Sequence, residues 1–186
     1  MDIELEKIIK GCIGGSNEAR TKLYEKYAGK MWVVCLRYSI DKNKAKDILQ
    51  EGFIKIFDKI HQYKGRGSFE GWMRRIFINI AIAEFRKERM LSFDIYQNKK
   101  SLYEEEDIDD NLPEIKVKEL LDIINELPPQ YKLVFNMYAI EGFSHKEIAI
   151  ALNISEGTSK SNLSRARTIL KRKVYERIRQ IDNIYK

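Results

Sequence analysis

Proline is nearly missing from this chain: three prolines and ten glycines stand in 186 residues. So few breakers exclude a collagen-like or low-complexity coil. Hydrophobic residues make up 44% and charged residues 33%, enough core to exclude a wholly disordered chain. Cysteine is scarcer still. Cys12 and Cys35 make no disulfide framework, and no CxxC or histidine pair has the spacing of a zinc site. His61 and His145 are the only histidines and lie far apart, which speaks against a histidine-based active site. No apolar run approaches the roughly 20 residues that span a bilayer. The N-terminus, MDIELEKIIKGC, has acids where a signal peptide carries positive charge. A cytoplasmic protein without cofactor or metal is the expectation.

What is present is charge, unevenly placed. Residues 1–90 hold 19 Lys/Arg against 12 Asp/Glu, a balance of +7. Residues 91–112 hold 2 against 7, or −5, and residues 113–186 hold 13 against 9, or +4. Two basic blocks flank an acidic spacer. Basic domains favour a polyanionic partner, because each neutralised phosphate releases condensed counterions.

Helical periodicity fills both blocks, and no alternating run is long enough for a sheet. In residues 43–60 the apolar positions Ala45, Ile48, Leu49, Phe53, Ile56, Phe57 and Ile60 recur at threes and fours behind an Asp41 cap. Residues 19–38 repeat the pattern with Leu23, Tyr27, Met31, Val34, Cys35 and Tyr38. Residues 69–89 do so with Phe69, Trp72, Met73, Ile76, Phe77 and Ile80. Gly65 and Gly67 break the pattern between helices, and Ser68 can cap the helix after them. The expected fold is all-α: a helical domain over 1–90, a flexible acidic linker over 91–112, and a second helical domain over 113–186.

In the second domain a helix is expected from Glu114 to Leu127, with Leu120, Ile123, Ile124 and Leu127 on one face. Pro129 opens the next helix, and Gly142 closes it. Ser144 and Glu147 make a capping box for a short helix that stops at Asn153. Ser155 caps a final basic helix, expected to end ahead of the closing segment RIRQIDNIYK. A short helix, a tight turn and a longer basic helix make a helix-turn-helix. Ile148, Ala149, Leu152 and Ile154 hold its helices together. The second helix opens with SEGTSKSN, small enough to enter a major groove, and its later Arg165, Arg167, Lys171, Arg172 and Lys173 suit phosphates.

At this point the chain resembles the bacterial RNA polymerase sigma factors of the extracytoplasmic function class, two-domain members of the sigma-70 family. GFSHKEIAIALNISEGTSKSNLSRAR is similar to the family's fourth region, which binds the −35 promoter element. LYEKYAGKMW, DKNKAKDILQEGFIKIF and FEGWMRRIFINIAIAEFRK resemble its second region. The resemblance implies a subunit that directs core RNA polymerase to promoters, recognises −35 duplex and melts the −10 element. Implied −35 contacts are Ser155, Thr158, Ser159, Lys160, Asn162, Arg165 and Arg167. Implied −10 contacts are Lys64, Arg66, Phe69, Trp72, Arg74, Arg75 and Asn79. The polymerase-binding surface falls on Asp47, Gln50, Glu51 and Lys55. An anti-sigma protein, which often restrains this class, is a further implied partner. Two positions depart from the family pattern: Ser159, where a small apolar residue is usual, and Asn162, where arginine often sits. The phosphodiester chemistry belongs to the polymerase, so the chain itself is expected to be no enzyme. The rival reading is a dimeric helix-turn-helix regulator that binds duplex without polymerase.

Overall fold

The computed structural model describes residues 2–39, 41–91 and 117–184. The chain divides into two units, Met1–Leu91 and Ser92–Lys186. The expected linker, with its acidic stretch Glu104 to Asp110, lies outside the described residues except for Leu91. That residue ends a helix instead.

The N-terminal unit holds four α-helices, and each start is fixed by a short polar side chain. In α1 (Ile3–Ile13) Asp2 accepts from the Glu4 amide at 3.1 Å. In α2 (Asn17–Tyr38) Ser16 accepts from the Ala19 amide. In α3 (Lys42–Lys59) Asp41 accepts from the amides of Asn43 and Lys44 at 2.7 and 2.9 Å, as its sequence position predicts. Ser68 accepts from the Gly71 amide at 3.0 Å at the head of α4 (Phe69–Leu91). Sequence periodicity assigned no helix to the α1 segment. Its signal is present, since Leu5, Ile8, Ile9 and Cys12 are buried at threes and fours.

Those stripes meet in one core of Leu23, Met31, Ile56, Met73 and Phe77, each almost wholly shielded from solvent. Removing such a side chain from water is worth about 1.5–3 kcal/mol. Aromatic rings dominate: Phe53 meets Phe77 edge-on at 5.6 Å and Tyr24 at 4.7 Å. Gly52 makes room for them. A Cβ there would sit 1.9 Å from Cε1 of Phe77, so α3 and α4 approach as closely as they do only because the position is bare. Burial pushes the Cys35 thiol up to about 12.

The C-terminal unit is more irregular. Its helices are α5 (Val117–Asn125), α6 (Pro129–Phe135), α7 (His145–Leu152) and α8 (Glu156–Ile184). Pro129 takes the first helical position, where its missing N–H costs nothing. The helix expected to reach Gly142 changes pitch first: Asn136–Ile140 is a π-helical segment, closed by the Glu141 amide donating to the Asn136 carbonyl at 3.1 Å. The capping box of Ser144 and Glu147 is formed, and Asn153 stops α7 with φ +52°, the left-handed conformation its type tolerates.

Two expectations need correction. Of the closing segment RIRQIDNIYK, residues 177–184 are no tail after the basic helix, because α8 runs on through Ile184. Leu120 remains partly exposed, whereas Ile123, Ile124 and Leu127 pack on Ala166, Ile169, Leu170 and Val174. The buried face of α5 is thus narrower than its apolar face. Among the described residues no helix is long and apolar enough to cross a membrane.

Candidate nucleic-acid interface

Three surfaces carry the residues singled out by sequence. The first is the start of α8. Ser155 accepts from the Thr158 amide at 2.9 Å, and its Oγ lies 2.8 Å from Thr158 Oγ1. Both hydroxyls therefore hold the helix end in place. Ser159 and Asn162, expected to read bases, are turned inward instead: Ser159 has no exposed surface and Asn162 is 3% exposed. Helical phase is the reason. They continue the stripe of Leu163, Ala166, Ile169 and Leu170 at intervals of three and four. Ser159 Oγ sits 2.9 Å from His145 Nδ1, whereas Asn162 Nδ2 has no hydrogen-bond partner among the described residues.

The same phase puts other residues outward. Gly157, Lys160, Ser161, Ser164, Arg165 and Arg167 are all exposed. Gly157, Ser161 and Ser164 form the centre of this strip, Lys160 and Arg167 lie along one side, and Arg165 along the other. Ser161 escapes a reading of SEGTSKSN by composition, which carries no phase, and Ser164 lies two residues beyond that stretch. Once Leu163 and Ala166 are seen to be buried, counting from them places both serines outward. The basic residues further along divide. Lys173 and Arg177 pair with Glu126 beside α5, and Arg172 pairs with Glu176 at 3.7 Å. Lys173 is consequently committed to packing, and the exposed cations along the strip itself are Lys160, Arg165 and Arg167.

The second surface is the loop before α4. Gly65 and Gly67 have φ +72° and +78°, conformations costly for any residue with a Cβ, and Tyr63 OH donates to the Gly67 carbonyl at 2.8 Å. Lys64 and Arg66 stand exposed on the arch so formed. Beneath it lie three rings. Phe69 meets Tyr63 at 5.0 Å and stacks on Trp72 at 5.5 Å, and Tyr63 meets Trp72 at 5.7 Å. Phe69, expected as a base contact, is only 2% exposed and belongs to the core under the loop. Trp72 is half-buried. Trp72, Arg75 and Asn79 share one face of α4, at i, i+3 and i+7. Arg74 does not join them: it lies on another face and pairs with Glu70 at 3.5 Å, which also takes Lys30 at 2.7 Å.

The third surface is the polar face of α3. Asp47 and Gln50 are exposed, and Glu51 and Lys55, half-exposed, pair at 2.5 Å. A pair so open to water adds little to stability. Ile54 lies on the same face, is 61% exposed and was missed. Its signal was an isoleucine outside the buried stripe of its own helix.

Comparison with known proteins bears on all three surfaces. Residues 23–90 match the family model for sigma-70 region 2, and residues 118–170 match sigma-70 region 4. The chain is 30% identical over 155 residues to the ECF RNA polymerase sigma factor SigM of Bacillus subtilis, covering 81% of this chain and 91% of that protein. Against SigW of the same organism identity is 29% over 187 residues, covering 94% and 98%. Against the ECF sigma-E factor of Haemophilus influenzae it is 28% over 170 residues, covering 86% and 89%. The α3 face, the loop and the Trp72, Arg75 and Asn79 face of α4 fall within the first matched region, and the exposed strip of α8 within the second. The chain belongs to the sigma-70 family, in its ECF class, and is a sigma factor that directs RNA polymerase to promoters.

Proposed function

We propose that the two units divide promoter recognition between duplex and single strand. The exposed strip of α8 enters the major groove of the −35 element, with Gly157, Ser161 and Ser164 against base edges and Lys160, Arg165 and Arg167 on the phosphates. The observation that supports this most is the arrangement itself: small polar side chains in the centre of a helix face, cations along its edges, at the end of a helix that Ser155 caps and the turn at Asn153 joins to α7.

In the N-terminal unit, Lys64 and Arg66 hold the backbone of an unpaired −10 strand while Trp72 stacks on a base and Arg75 and Asn79 continue along the same face. A base accommodated this way offsets the few kcal/mol lost in unstacking it. Phe69 acts from beneath by fixing the Trp72 ring. The α3 face, with Asp47, Gln50, Glu51, Lys55 and Ile54, binds core polymerase, which supplies the catalysis. The chain itself performs none. It acts in the cytoplasm, and an anti-sigma protein that covers these surfaces restrains it.

The test is transcription by core polymerase with and without the chain, on a promoter panel randomised at −35 and −10. Selective initiation that is lost with Trp72→Ala at −10 and altered with Ser164→Ala at −35 is the expected result. Initiation indifferent to both substitutions would overturn the division.

A further inference from the structure

The π-helical segment Asn136–Ile140 passes beside the helix-turn-helix, and one of its residues touches groups from both helices. Tyr138 stacks on His145, with ring centroids 4.6 Å apart and planes 22° apart. The guanidinium of Arg167 lies over the same Tyr138 ring, 5.9 Å from its centroid. His145 in turn reaches the inward Ser159 through Nδ1, at 2.9 Å from Oγ. Ser159, His145, Tyr138 and Arg167 therefore form a chain of contacts that leaves α8 in its first turn and returns to it two turns later.

Arginine has a long side chain with much rotamer freedom, and that freedom is lost when it grips a phosphate. A guanidinium already resting on an aromatic face has lost part of it beforehand, so less is lost on binding. Arg167 is exposed and makes no ion pair among the described residues, and the Tyr138 ring is the contact that faces its guanidinium. The ring is itself held, by the imidazole stacked on it. A π turn shifts the phase of every later residue in its helix, and Tyr138 lies inside that turn; such turns recur at functional sites.

We propose that Tyr138 is a positioning residue for DNA recognition: clamped by His145, its ring orders Arg167 toward the phosphate backbone. This rests on the assignment of the exposed face of α8 to duplex DNA. The ligand class is the phosphodiester backbone, independent of base sequence, which permits a test without knowledge of the promoter.

The experiment is a double-mutant cycle on the full chain, read as affinity for a short random-sequence DNA duplex at several salt concentrations. Arg167→Ala should weaken binding and reduce the salt slope by about one. Tyr138→Leu should weaken it about 2- to 10-fold, the range set by ordering one long side chain. Tyr138→Phe keeps the ring and should restore nearly all of the affinity. In the Arg167→Ala background Tyr138→Leu should add nothing. Additive losses, an inert Tyr138→Leu, or a Phe variant as weak as the Leu variant would each overturn the positioning role. An inert Arg167→Ala overturns it too, since no phosphate contact would then exist to be ordered. Lys160→Ala on the same duplex separates the two levels: if it also has no effect, the assignment of α8 to DNA falls as well. Tyr138→Met, unbranched and better able to fill the gap the ring leaves, takes the place of the Leu variant in the cycle should that variant fail to melt cooperatively.

Discussion

The two units bury different things. The core of the N-terminal unit is aromatic and apolar, with Phe53, Phe69 and Phe77 at its centre and Ser39 its only buried polar residue among those described. The C-terminal unit buries Lys132, Asn136, Ser159 and Asn162 among its aliphatic side chains. Desolvation holds the Lys132 amine below the usual lysine range, and its Nζ donates to Asn125 Oδ1 at 3.5 Å. The lesson concerns legibility. Where a core is apolar, polar residues report the surface truthfully. Where a core contains polar groups, composition misleads, as it did for Ser159 and Asn162.

The sharpest way to break this comparison is to remove the central ring of the aromatic core. Phe77→Ala should destabilise the N-terminal unit by about 3–5 kcal/mol, since the ring is fully enclosed and its removal leaves a cavity. Urea unfolding combined with hydrogen exchange in residues 3–91 measures it, and a loss under about 1 kcal/mol would mean the core is looser than its burial suggests.

Gly52→Ala comes next, at about 1–3 kcal/mol, from the clash of the new methyl with Phe77. Combining it with Phe77→Leu should recover part of that loss. Two purely additive penalties would show that the close approach of α3 and α4 is not what the glycine serves.

The third prediction inverts what composition alone suggests for the C-terminal unit. Asn162→Leu should leave −35 base preference unaltered and change stability by less than about 1 kcal/mol, because the gain from removing an amide nitrogen without a partner offsets the strain of a larger apolar side chain of the same branching. Ser161→Ala or Ser164→Ala should instead relax preference at one or two −35 positions, at no more than about 1–3 kcal/mol each. A point-mutant promoter panel decides between them, and a specificity change with Asn162→Leu would return that residue to the base-reading set.

The smallest effect on the fold is expected at the α3 face. Glu51→Lys should alter stability within about ±0.5 kcal/mol, since the residue is half-exposed and its pair with Lys55 is open to water. Co-purification with core polymerase should nevertheless fall. Retention unchanged at every salt concentration tried would leave this face as a solvated surface only.

The sequence by itself determined the helical class, the two basic blocks and the starts of α3, α4, α6, α7 and α8. Those features are local: Asp41, Ser68, Pro129, Ser144 and Asn153 act within a few residues of themselves, and their chemistry needs no distant partner. Motif resemblance supplied the family in the same way, from contiguous runs. What only the tertiary structure decided is which side of each helix faces a neighbour. That choice moved Phe69 beneath the loop, paired Arg74 with Glu70 and Lys173 with Glu126, and turned Ser159 and Asn162 inward while Ser161 and Ser164 turned out. The physical reason is that a helix of small and polar residues has no strong apolar stripe to announce its orientation. For the first turns of α8, orientation is set by the buried side chains further along, Leu163, Ala166 and Ile169, whose packing fixes the phase of everything before them.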